Sequence, residues 1–198
     1  LSWKEDSLAA LLPLRSDSPM LSFVGAGGKS GAIALLGEEL STRGASPIIT
    51  VTTHLSLAQE SLGDETLYIE GFPGFPSEPG EAQVAALTAA TTRHPGRSLL
   101  LAGRRMEKRG KIRGIEPHLV DLLPRIVGDR PVLVEADGAT GRDFKIPAAH
   151  EPLIPKSSTA VVAVTGFPAL GNSAQEARVH RLEDFYSLPG MWSTLDEE

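Results

Sequence analysis

The run Phe23-Val24-Gly25-Ala26-Gly27-Gly28-Lys29-Ser30-Gly31 combines dense glycine with a lysine and a hydroxyl. Glycines let backbone N–H groups turn inward around a phosphate, and a helix starting at Lys29 adds the positive end of its dipole. In that arrangement Gly25, Ala26, Gly27, Gly28 and Gly31 line the phosphates, Lys29 reaches their outer oxygens, and Ser30 offers a hydroxyl to Mg²⁺. Phe23 stands where the motif GxxxxGK[ST] has its first glycine, whereas the ending Gly28-Lys29-Ser30 is intact. A rival reading takes Gly25, Gly27 and Gly31 as a Rossmann dinucleotide turn. That turn requires an acidic residue at the end of the second strand to hold a ribose. The sequence there is Thr50-Val51-Thr52-Thr53-His54, without a carboxylate.

The second block is Val132-Leu133-Val134-Glu135-Ala136-Asp137-Gly138, an apolar strand ending in acid. Strand period is two, so Glu135 and Asp137 project to the same side and repel unless a cation intervenes. A Mg²⁺–phosphate site supplies one, with either acid as a metal group and the other free to polarise the attacking atom; an ion pair with a basic segment is the plainer alternative. Thr52 and Thr53 are further candidates for the metal shell or the γ-phosphate, and His54 for substrate. Lys145, in the proline-rich stretch 139–155, is placed to stabilise a transferred phosphate or an anionic substrate, or else to pair with Glu151 in a structured surface loop. His150 and Glu151 follow it, and His180-Arg181 come later as further substrate candidates. The block Gly103–Gly114 concentrates Arg104, Arg105, Lys108, Arg109, Lys111 and Arg113. It reads either as a solvated loop or as a receptor for a phosphorylated or pterin-dinucleotide ligand.

These residues need a scaffold that brings strand ends together. Strands are expected at Met20–Val24, Pro47–Thr53, Thr66–Ile69, Leu99–Ala102, Val132–Ala136 and Ala160–Thr165. Helices are expected over residues 4–12, from Lys29 to about Arg43, over Leu55–Ser61, Glu81–Arg93, Glu116–Val127 and Ala174–Tyr186. Gly71–Gly80 reads as loop. This alternation predicts an α/β fold, a three-layer P-loop NTPase-like domain with a mostly parallel sheet, in one unit over residues 1–198. The 198 residues are 41% hydrophobic and 22% charged, ordinary for a globular chain. Without cysteine there is no disulfide framework, zinc–thiolate centre or iron–sulfur cluster, which is compatible with the expected cytoplasmic location. A net charge of −6 and few aromatic residues argue against nucleic acid as partner. No apolar run approaches the roughly 20 residues that span a bilayer.

Taken together, the blocks resemble the YqeC family of selenium-dependent molybdenum hydroxylase accessory proteins. The resemblance rests on Leu21–Ser30, Val51-Thr52-Thr53-His54 and Glu135-Ala136-Asp137-Gly138-Ala139. It continues through Lys145–Pro152, Ile154-Pro155, Thr165-Gly166, Leu170-Gly171 and Val179-His180-Arg181. The loop is also similar to the shortened P-loop of Mur-type ligases, where a strand residue takes the first position. The family resemblance implies an ATP- or GTP-dependent protein, using Mg²⁺, whose partner is such a hydroxylase or its cofactor. Two classes of action stay open: phosphoryl transfer to a small anionic substrate, as in a ligase or kinase, and a nucleotide-gated switch that delivers a cofactor. Family members usually continue past the last helix, and Ser193–Glu198 fits that continuation poorly, so a chain truncated at its C-terminus or lacking a segment is expected.

Overall fold

The computed structural model describes residues 7–12, 14, 19–71, 80–92, 96–175 and 178–189. The expected start of the first helix, most of the loop 71–80 and the tail 193–198 lie outside them. Among the described residues eleven strands are formed: β1 (Met20–Gly25), β2 (Ile48–Val51), β3 (His54–Ser56), β4 (Glu65–Tyr68), β5 (Leu99–Ala102), β6 (Arg104–Met106), β7 (Lys111–Arg113), β8 (Val132–Glu135), β9 (Phe144–Lys145), β10 (Ala160–Val164) and β11 (Val179–His180). The helices are α1 (Leu8–Leu11), α2 (Lys29–Thr42), α3 (Glu81–Thr92), α4 (Pro117–Val120), α5 (Leu123–Val127) and α6 (Leu182–Tyr186).

Six strands make the central sheet in the order β10-β1-β8-β2-β5-β4, with every pairing parallel. Their near-continuous apolar sequences follow from burial on both faces. Alternation splits the inner strands β1, β8, β2 and β5 between two cores, whereas β10, at the edge, packs Val162 and Val164 on one side and leaves Val161 exposed. Leu21, Phe23, Ile49, Val51, Leu100 and Leu133 pack with Ile33, Leu36 and Leu40 of α2. Met20, Ile48, Leu99, Leu101, Val132 and Val134 pack with Leu87 of α3, Val120 of α4 and Leu123, Ile126 and Val127 of α5. Each fully buried large apolar side chain contributes about 1.5–3 kcal/mol, so these two interfaces fix the three layers. Phe23 is fully buried and pairs in register with Glu135, which also pairs with Val51. The end of β8 is thereby wedged between the ends of β1 and β2, where a parallel sheet presents its ligand loops.

Four expectations about elements are corrected. The helix over Glu116–Val127 is broken into α4 and α5, because Pro124 has no N–H to continue the ladder and crowds the preceding turn. The stretch Ala174–Tyr186 is not one helix. Val179 and His180 pair with Phe144 and Lys145, Arg181 adopts φ 64°, and only Leu182–Tyr186 is helical. Long-range pairing there overrides a helix-compatible local pattern. The basic block is an antiparallel hairpin, β6–β7, joined through β7 to β3. The short helix expected at Leu55–Ser61 is a 3₁₀ segment, Leu57–Leu62, preceded by β3.

Candidate functional site

The glycine-rich loop follows β1 and opens α2. Gly25, at φ 92°, lies so close to the Val164 carbonyl that a Cβ would collide with it, and Ala26 N–H donates to the same oxygen at 2.9 Å. Gly27, at φ 67°, sits against the backbone of Gly166 and of Asp143, again without room for a Cβ. The loop is thus pinned to the chain leaving β10. α2 has no side-chain cap at its N-terminus, so its first donors face the loop without a capping oxygen.

Lys29 is 5% exposed, contrary to the surface position its place at a helix start would give, and donates to the Gly25 carbonyl at 2.7 Å. Burial lowers the pKa of its ammonium, and the nearby Glu135 and Asp137 act in the opposite direction. Ser30 Oγ donates to Glu135 Oε2 at 2.7 Å. Burial raises the Glu135 pKa, opposed by that hydrogen bond and by the charge of Lys29. Gln59 Nε2 donates to Ser30 Oγ at 2.5 Å, while its Oε1 accepts from Ser56 N–H at 2.9 Å. Gln59 was absent from the sequence-derived candidates. Its signal was the capping box Ser56-x-x-Gln59, which starts the 3₁₀ segment and aims the amide at Ser30.

The two acids of β8 and its exit have different partners. Glu135 faces Ser30 in a cavity of about 700 Å³, lined also by Gly27, Gly28, Lys29, Thr53 and His54. Asp137 accepts from Gly25 N–H at 3.2 Å and from Lys145, whose ammonium also donates to the Gly138 carbonyl at 2.6 Å. For Asp137 the cation required between the acids is therefore the lysine of the chain itself. Lys145 is fully buried and additionally pairs with Glu151 at 2.8 Å, which accepts from Arg181 at 2.7 Å. Lys145 is held in β9, next to His180 of β11. This charged chain, Asp137–Lys145–Glu151–Arg181, ties the loop after β1 to the two-stranded sheet.

Burial pushes the Glu151 carboxyl up, but hydrogen bonds from Arg181, Lys145 and the Ala148 N–H outweigh it and bring the group down to about 2. A carboxyl lowered on folding stabilises the protein above its ordinary value near 4.5, and that stability is lost as pH falls through the folded value. Glu151→Gln is expected to cost about 3 kcal/mol at pH 7 and nothing at pH 2 and below. Urea melts of both proteins between pH 7 and pH 2 measure it; a pH-independent gap would mean that the carboxylate charge is immaterial.

The remaining candidates are distributed as follows. Thr52 Oγ1 donates to the Leu153 carbonyl at 2.8 Å and does not line the cavity. Thr53 does, and its buried Oγ1 has no hydrogen-bond partner. Gly31 is exposed with open space around it. His54 and His180 line the cavity; His150 is exposed and outside it. The imidazole of His54 is lowered by burial and then by Lys111, Arg113 and Arg109, and that of His180 by burial and then by Arg181 and Lys145. Among the described residues no helix is long and apolar enough to cross a membrane.

The chain has sequence relatives. The family model described as YqeC protein matches residues 21–183. A protein of Escherichia coli (strain K12), named "Uncharacterized protein YqeC", is 32% identical over 172 residues, covering 87% of this chain. The chain spans 61% of the length of that relative. No solved structure matches the chain.

Proposed function

Because the chain belongs to the YqeC family, we propose that it binds ATP or GTP with Mg²⁺ and uses the nucleotide in maturing a selenium-dependent molybdenum hydroxylase. The nucleotide half is carried by one observation: an uncapped helix N-terminus, a buried lysine and a serine–glutamate hydrogen bond converge on a single cavity. The maturation half, with the hydroxylase or its cofactor as partner, rests on the family resemblance, and a cytoplasmic location on a composition without cysteine.

The residues fit such a ligand. The N-terminal N–H groups of α2 and the Lys29 ammonium present positive charge to phosphate oxygens. Mg²⁺ takes oxygen ligands and is commonly held by one or two carboxylates together with substrate phosphates. Ser30 and Glu135 would hold it here, and among the described residues no group of three or more His, Asp or Glu forms a metal cage. The metal's affinity would then depend on the nucleotide. When bound, the metal–nucleotide pair supplies a transferable phosphoryl group. The chain's own residues do the positioning. Gln59 fixes the Ser30 hydroxyl, Ser30 and Lys29 oppose the upward pull of burial on the Glu135 carboxyl, and Asp137 holds Gly25 N–H so that the loop keeps its shape.

A ligand at a hundred times its dissociation constant stabilises by about 2.7 kcal/mol. For a chain of this size that is a rise in melting temperature of about 5–10 °C. ATP or GTP with Mg²⁺ is expected to produce it, Mg²⁺ alone and NADP are not, and a thermal-shift panel reads all of them. A shift from Mg²⁺ alone would give the protein a metal site independent of nucleotide. A shift with NADP and none with ATP or GTP would return the loop to the dinucleotide reading.

A further inference from the structure

The basic hairpin divides into two sets of side chains. Arg104 pairs with Glu70, Arg105 with Glu60 and Glu107, and Arg113 with Glu70 and Glu116. Lys108, Arg109 and Lys111 make no ion pair among the described residues, and of these Arg109 and Lys111 line the cavity that contains Lys29 and Ser30. Their position relative to the loop is fixed by two links. Leu57 N–H donates to the Gly110 carbonyl at 2.9 Å, and Lys111 pairs in register with Ser56, whose N–H donates to Gln59 beside Ser30. The same cavity is lined by Arg142, which also has no ion pair among the described residues, and by His180. Thr53, whose hydroxyl is buried and unpartnered, lines the same cavity. A chain of net charge −6 thus presents Arg109, Lys111 and Arg142 at a shared cavity whose two lining acids are engaged elsewhere, Glu135 by Ser30 and Glu151 by Lys145 and Arg181.

Like charges gathered without counterions cost stability and focus a positive field into the cleft. Lys29 and the helix N-terminus already serve one phosphate chain, and a nucleoside needs no cation of its own. The geometry points to a second anion site in this cavity, formed by Arg109 and Lys111 together with Arg142, for a small phosphorylated molecule bound beside the nucleotide. This deepens the nucleotide reading by giving the co-substrate its charge and its place, and it favours transfer chemistry over a switch without a small ligand.

The probe is inorganic pyrophosphate, titrated calorimetrically in excess Mg²⁺ against protein saturated with ADP. Wild type is expected to bind it under saturation. In R109Q/K111Q, both changes at exposed positions that leave the core intact, its affinity falls about tenfold or more, the equivalent of one lost charged hydrogen bond, and ADP affinity is unchanged. Lys29→Ala loses ADP and keeps pyrophosphate binding. The proposal is overturned if ADP saturation abolishes pyrophosphate binding, or if R109Q/K111Q binds it as wild type does. If ADP never binds while pyrophosphate binding still depends on Arg109 and Lys111, the nucleotide reading fails and the anion site stands.

Discussion

Lys29→Ala is expected to abolish the nucleotide-dependent rise in melting temperature while the protein itself stays folded. The lysine contributes to the proposed ligand in a way no neighbour duplicates. It is the one lysine or arginine within the loop and start of α2, and among the described residues its ammonium donates only to the carbonyl of Gly25. Phosphate oxygens are stronger acceptors than that carbonyl, and losing a charge-assisted contact in a buried site costs about 1.5–3 kcal/mol. Repulsion of the triphosphate by Glu135, no longer offset, adds to the loss. Intrinsic stability changes much less. Burial already disfavours the charged lysine, so removing it relieves that cost while leaving Glu135 with less support. The net is expected within about 2 kcal/mol of wild type. Differential scanning fluorimetry with and without ATP–Mg²⁺ separates the two effects. A variant that melts as wild type does and keeps the full nucleotide shift would remove the lysine from the site.

The parts of this site that sequence could give are those written in consecutive residues. The β1–loop–α2 unit is local: an apolar strand, glycines that tolerate positive φ, a lysine and a helix. Val132–Asp137 is likewise local, an apolar strand that ends at Glu135 with Asp137 just past it. The sheet was legible as well, because strands buried on both faces are continuous apolar runs. What sequence could not give is which acid meets which cation. Glu135 and Asp137 are chemically near-equivalent, and their division between Ser30 and Lys145 depends on a two-stranded sheet built from residues 144–145 and 179–180. That sheet was invisible because two-residue strands have no periodicity, and the helix-compatible pattern around them is local whereas the pairing is not. Gln59 was missed for a related reason. Its capping role is local, but its second contact, to Ser30, spans 29 residues. The hairpin's basic residues were read as one block, whereas the fold turns Arg104, Arg105 and Arg113 toward acids and leaves Arg109 and Lys111 in the cavity.

Lys145→Met is expected to be the most destabilising single change considered, at about 3–5 kcal/mol, the range for breaking a buried ion pair from one side. Its ammonium has no exposed surface and serves Asp137, the Gly138 carbonyl and Glu151 together. Methionine matches the length of the stem but leaves Asp137, nearly as buried, without a cation, and leaves Glu151 with Arg181 alone. The damage reaches the loop, because Asp137 is the carboxylate that accepts from Gly25 N–H. Nucleotide affinity should fall with stability even though Lys145 does not line the cavity. A double-mutant cycle identifies the cause. Asp137→Asn in the Lys145→Met background should recover part of the loss, a coupling of about 1–3 kcal/mol. Denaturant melts of wild type, both single variants and the double variant at pH 7 measure it. Additive losses would show that Lys145 acts through packing, and the charged chain from Asp137 to Arg181 would then have no part in holding the loop.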